Sequence, residues 1–156
     1  MKPDDISRVR ASWALAVARS DALVIVFYAR LFRTYPALRA LFSDVDLAGQ
    51  ADKLHATLDL VVRGLDDLPR LVPALERLGR MHAGLGVREE DFAAVGDALL
   101  WTLGELLGDD FDAATRRAWG TAYAALALVM RRAMRAPGGV RAGAWAPPAP
   151  GSRAPV

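Results

Sequence analysis

The sequence predicts an all-α domain of about six to seven helices, and three observations carry that expectation. Apolar residues recur at intervals of three and four along most of the chain. Val and Ile cluster in one stretch only, Leu23 to Phe27, and no Asn-Gly or Asp-Gly hairpin turn occurs. Acidic residues stand before several of the periodic segments and Pro or Gly after them, as at helix starts and stops.

Taken in order, Asp4 or Asp5 is expected to cap a first helix running to about Ser20, and Asp21 a second with the stripe Val24, Tyr28, Leu31, Phe32 and Tyr35. Pro36 ends it. A short turn through Leu38, Leu41 and Phe42 leads to a polar loop of Ser43, Asp44, Asp46 and Gly49. Gln50 and Lys53 then begin a helix with the stripe Leu54, Leu58, Val61, Val62 and Leu65. A fourth helix carries Leu71, Leu75, Leu78 and His82 on one face and closes at Gly84 and Gly86. Glu89, Glu90 and Asp91 bring negative charge to the first turn of a fifth helix. Asp109, Asp110 or Asp112 does the same for a sixth, ending near Arg135. From Pro137 to Val156 the chain is Pro, Gly, Ala and Arg with one Trp, too little to bury, so residues 1–136 form the expected domain and 137–156 a disordered tail.

With 53% apolar and 24% charged residues the composition is that of a globular chain, and the longest apolar run, Ala122 to Met130, falls well short of the ~18 residues of a membrane span. Asp4 and Asp5 interrupt any basic-then-apolar leader, which makes a cytoplasmic location the expectation. Cysteine is absent, so thiolate catalysis, disulfides, Cys-ligated metals and covalent haem attachment are excluded. The net charge of +2 arises from the tail, where Arg141 and Arg153 face no acid. Only Arg131, Arg132 and Arg135 form a basic cluster, at a helix C-terminus where cations complement the dipole, so no nucleic-acid partner is expected.

His82 is the residue with chemistry to offer. A metal-capable imidazole in an apolar helical stripe is more often a satisfied core histidine than a ligand, yet a metal or a haem would suit its place near a helix end. His55 and His82 are too few and too far apart for a zinc site, and no HExxH occurs. Tyr28 is a second polar tip in an apolar stripe: a core tyrosine bonded to a carbonyl, or a donor beside a cavity. No nucleophile constellation and no phosphate-binding glycine loop is present.

Together these segments resemble the bacterial single-domain globins and the globin half of flavohaemoglobins. The likeness lies in Phe27-Tyr28-Ala29-Arg30-Leu31-Phe32, Pro36, Leu41-Phe42, Gln50 with Lys53-Leu54, Leu68-Pro69, Leu78-Gly79-Arg80-Met81-His82, Gly86-Val87, Val95-Gly96, and Ala118-Trp119-Gly120 with Tyr123. The resemblance implies a globin fold around a non-covalent b-type haem, with His82 as the iron ligand and its second ring nitrogen donating to a carbonyl near Leu78. It implies Tyr28 and Gln50 as the polar pair on the opposite side, Leu54 as the apolar wall there, Phe42 against the porphyrin, and Lys53 beside a propionate. Leu58, Val87, Phe92 and Val95 would line the pocket. His55, about 100° round the helix from Leu54, would point away. Flavohaemoglobins carry Tyr and Glu where this chain has Phe92 and Met134, and a flavin and nicotinamide reductase domain that this chain does not include.

The implied activity is reversible binding of oxygen, and of NO and CO, at ferrous iron. The alternatives are an NO dioxygenase served by a separate reductase, a haem-based gas sensor, and a haem-free interaction module.

Overall fold

The computed structural model describes residues 1–136, so the expected tail, 137–156, lies outside the described residues. Six α-helices account for about three quarters of them: α1 (Pro3–Arg19), α2 (Leu23–Thr34), α3 (Leu47–Arg63), α4 (Leu68–Gly84), α5 (Asp91–Leu107) and α6 (Ala113–Met134), with 3-10 segments at Pro36–Phe42, Leu65–Asp67 and Gly108–Asp110. No strand occurs among them. The Val and Ile of Leu23–Phe27 are helical, because their spacing buries Leu23, Val24, Phe27, Tyr28 and Leu31 along one face while leaving Ile25 outside.

The helix starts differ from the sequence expectation in instructive ways. α1 begins at Pro3 with Lys2 at the cap, so Asp4 and Asp5 sit inside the first turn, where they answer the dipole instead of capping. Asp21 does not cap α2 either: Ala22 holds that position, and the Ser20 hydroxyl accepts its N–H at 3.1 Å. Asp46 proves to be a cap, accepting from Ala48 and Gly49 N–H at 3.1 and 3.3 Å, which starts α3 three residues before Gln50. Leu65 falls in a separate 3-10 turn. Of the acids before α5 only Asp91 is helical. Glu89 instead reaches across to Arg131 and Arg135 at the end of α6, which gives two of the clustered arginines a partner within the fold. Asp112 alone of its three candidates caps α6, accepting the Thr115 N–H at 2.7 Å.

The principal packings are α4 on α6, α2 on α5 and α1 on α6. Gly79 explains the first: a Cβ there would stand 2.4 Å from the Met130 carbonyl oxygen, so only glycine lets these two backbones touch. At the far side Trp119 donates to the Ser12 hydroxyl at 2.9 Å and Trp13 to Asp59 at 3.2 Å, tying α1 to α6 and α3. What remains open lies between α2, α3 and the Pro36–Phe42 segment on one side and α4, α5 and α6 on the other.

Candidate functional site

Two adjoining cavities fill that gap. The inner one, about 190 Å³, is lined almost wholly by apolar side chains, among them Leu58, Leu75, Phe92, Val95, Leu99 and Met130. The outer one, about 380 Å³, adds Asp44, Gln50, Lys53, Met81 and Leu85 and leads toward solvent. Leu41, Phe42, Leu54, Thr57, Leu78, His82 and Val87 border both, so the two read as one slot, apolar within and polar at its mouth.

His82 is delivered to this slot by the end of α4. Its own carbonyl accepts from Leu85 and Val87 N–H at 3.1 and 3.0 Å, and Gly86 takes a φ of +88°, a left-handed turn that suits glycine and brings Val87 back onto the cavity wall. The Phe92 ring meets the imidazole edge-on at 6.0 Å. Phe92 is held in turn by its carbonyl, which accepts the Tyr123 hydroxyl at 2.6 Å. Burial lowers the His82 pKa, and the Leu78 carbonyl one turn back opposes it. That carbonyl acts on the ring without reaching full hydrogen-bond geometry: Nδ1 is the one buried side-chain nitrogen or oxygen among the described residues that has no partner. The result is a neutral imidazole with donor and acceptor capacity in an apolar slot.

On the other wall, Gln50, Lys53 and Leu54 all border the slot, and Leu58 lies deeper. Tyr28 borders neither cavity. It is buried behind Phe42, with ring centroids 5.4 Å apart and edge to face, and stacks on Phe32 at 5.7 Å. Burial pushes its phenol up to about 12 against the effect of the Gln50 side chain, so it stays protonated at neutral pH. His55 turns away to pack on Trp13 at 5.4 Å. Met134 is half-buried and does not line the slot.

Sequence reasoning did not assign Thr57, Leu41 or Asp91 to the site. Thr57 lies one turn beyond Leu54 on the same face, with its hydroxyl donating to the Lys53 carbonyl at 2.8 Å, and a search for apolar spacing skips it. Asp91, 6% exposed, accepts the Arg88 N–H at 2.8 Å and its guanidinium at 3.1 Å, a local closure that its place among three acids concealed.

The donor set fits a haem. No three His, Cys, Asp or Glu side chains converge among the described residues, so a bare metal ion lacks a cage, whereas a porphyrin iron needs one protein ligand and an apolar slot.

The globin family model matches residues 25–130, the span from α2 to α6 that builds both cavity walls. The chain is 34% identical over 141 residues to the neuroglobin of Danio rerio, covering 82% of this chain and 89% of that one. It is 32% identical over 150 residues to a flavohemoprotein of Bordetella parapertussis, covering 93% of this chain but only 37% of the relative. Among solved structures, a Pseudomonas aeruginosa PAO1 protein that is structurally highly homologous to human hemoglobin superposes with a TM-score of 0.76. It shares 28% identity over 83% of this chain and 98% of its own.

Proposed function

The chain belongs to the globin family, and from that premise we propose that it is a b-type haem protein that reversibly binds oxygen, with NO and CO as further ligands. His82 carries the reading: a neutral imidazole whose buried Nδ1 has no partner among the described residues stands at the border of two cavities, the inner one lined almost wholly by apolar side chains. A haem in the slot would supply the iron at which a diatomic gas is held. His82 would ligate it through the nitrogen facing the slot, leaving Nδ1–H toward the Leu78 carbonyl to fix the tautomer. Phe42 and Leu78 would bracket the ring. Lys53, at the mouth, would meet a propionate. Gln50 would donate to the gas ligand, and the Tyr28 phenol, outside both cavities and protonated at neutral pH, would act through the Gln50 side chain by orienting it. Leu54, Leu58, Val87 and Val95 would keep bulk water out.

Absorption spectra of the purified protein in ferric, ferrous, oxygen-equilibrated and CO-equilibrated states test this. The expected result is bound haem and a spectrum that changes with oxygen and returns on its removal. A protein that takes up no haem contradicts the reading.

A second reading, oxidation of NO to nitrate with electrons from a separate reductase, is favoured by the likeness to flavohemoproteins, of whose length this chain spans 37%. Against it stand Phe92 and Met134, which place no carboxylate behind His82 to make its imidazole more anionic.

A further inference from the structure

Away from the slot, a third cavity of about 310 Å³ opens between the end of α2, the middle of α5 and the start of α6. Its walls are of another kind. Arg30, Thr34 and Tyr35 come from the α2 side, Asp97 and Trp101 from α5, and Arg116 from α6. Both guanidinium groups rest on aromatic faces: the Arg30 Cζ lies 4.4 Å from the Trp101 ring centroid and that of Arg116 5.3 Å from the Phe111 ring. Stacking uses the flat face of a guanidinium and leaves its in-plane N–H edge for a planar acceptor.

The acceptor within the cleft does not take that edge. Asp97 receives the Tyr35 hydroxyl at 3.1 Å, and among the described residues no ion pair joins it to Arg30 or Arg116. Elsewhere the fold behaves differently, pairing Arg10 with Asp66 at 2.7 Å and Arg135 with Glu89 at 2.5 Å. Two cations against one anion leave the cleft positive, and Ala98, Leu100 and Trp101 give it an apolar side.

We infer that this cleft binds a small organic carboxylate, its carboxyl group gripped by the edges of Arg30 and Arg116 and its hydrocarbon part against Leu100 and Trp101. A free phosphate would satisfy the arginines but waste the apolar side. The Tyr35 hydroxyl would act as a positioning group, holding Asp97 off the guanidiniums.

Calorimetric titration of the full-length protein with benzoate, and separately with inorganic phosphate, at pH 7 and constant ionic strength tests the assignment. Benzoate is expected to give a saturable heat. Arg30→Gln and Arg116→Gln should each weaken it about tenfold, the loss of one charge-assisted contact. Asp97→Asn should tighten it, because removing the competing carboxylate strengthens the positive field, and a variant that merely damaged the cleft would not bind better. The inference is overturned if benzoate gives no saturable heat, if phosphate binds and benzoate does not, or if Asp97→Asn binds benzoate no tighter than the parent.

Discussion

At the scale of single residues, the proposed function rests on His82, an imidazole whose buried Nδ1 has no partner among the described residues. His82 was legible in the sequence because it occupies the position four beyond Leu78 and seven beyond Leu75 in an otherwise apolar stripe, and the structure brings it to the slot that this stripe helps build. Tyr28 was legible as a face but not as a depth: helical period says which way a side chain points, whereas the ring of Phe42 between it and the slot depends on the Pro36–Phe42 turn. A gas ligand that gathers partial negative charge makes a donor contact worth roughly 1.5–3 kcal/mol. Because Tyr28 would act by orienting the Gln50 donor, Tyr28→Phe is expected to speed oxygen release about ten- to a hundredfold in stopped-flow measurements, and an unchanged rate would reduce Tyr28 to a packing residue. Phe92 invites the complementary change. With no carboxylate behind His82, the ferric/ferrous potential should lie above that of a Phe92→Tyr, Met134→Glu double variant in redox titration.

At the scale of elements, the apolar periods located the helices, but several starts moved. Asp46 was hidden in a polar loop because its capping bonds to Ala48 and Gly49 depend on backbone geometry, not on composition. Asp21 lost its expected role to a turn closed by the Ser20 hydroxyl. The contact of α4 with α6 at Gly79 was equally invisible, since a glycine in a helix has no apolar signal. Gly79→Ala would force the Met130 backbone away, at a cost of about 1–3 kcal/mol. The melting temperature should fall by roughly 2–4 °C per kcal/mol, readable by circular dichroism. Glu89 tethers the α4–α5 connection to Arg131 and Arg135, and the Arg135 guanidinium holds its carboxyl below the ordinary 4.5. A depressed acid contributes stability above that ordinary value and loses it as pH falls through the depressed one. Glu89→Gln should thus lower the melting temperature slightly at pH 7, by a difference that shrinks in thermal melts taken progressively below pH 4.5.

For the whole molecule, the helical class and the globin likeness followed from the order and spacing of ordinary motifs, each uninformative alone. The two-cavity slot did not, because it is enclosed by six different segments, α2 to α6 and the Pro36–Phe42 turn. The described helices bury their apolar faces on one another within residues 1–136. A chain ending at Ala136 is therefore expected to keep its melting temperature and haem content, and a loss of either would mean that the segment from Pro137 onward docks on the fold. The claim on which the rest depends is that His82 holds a haem iron. Resonance Raman spectra of the ferrous protein test it most directly. An iron–imidazole stretching band is expected in the parent, absent in His82→Gly, and restored when imidazole is added to that variant; a band that survives the substitution unaided would contradict the account.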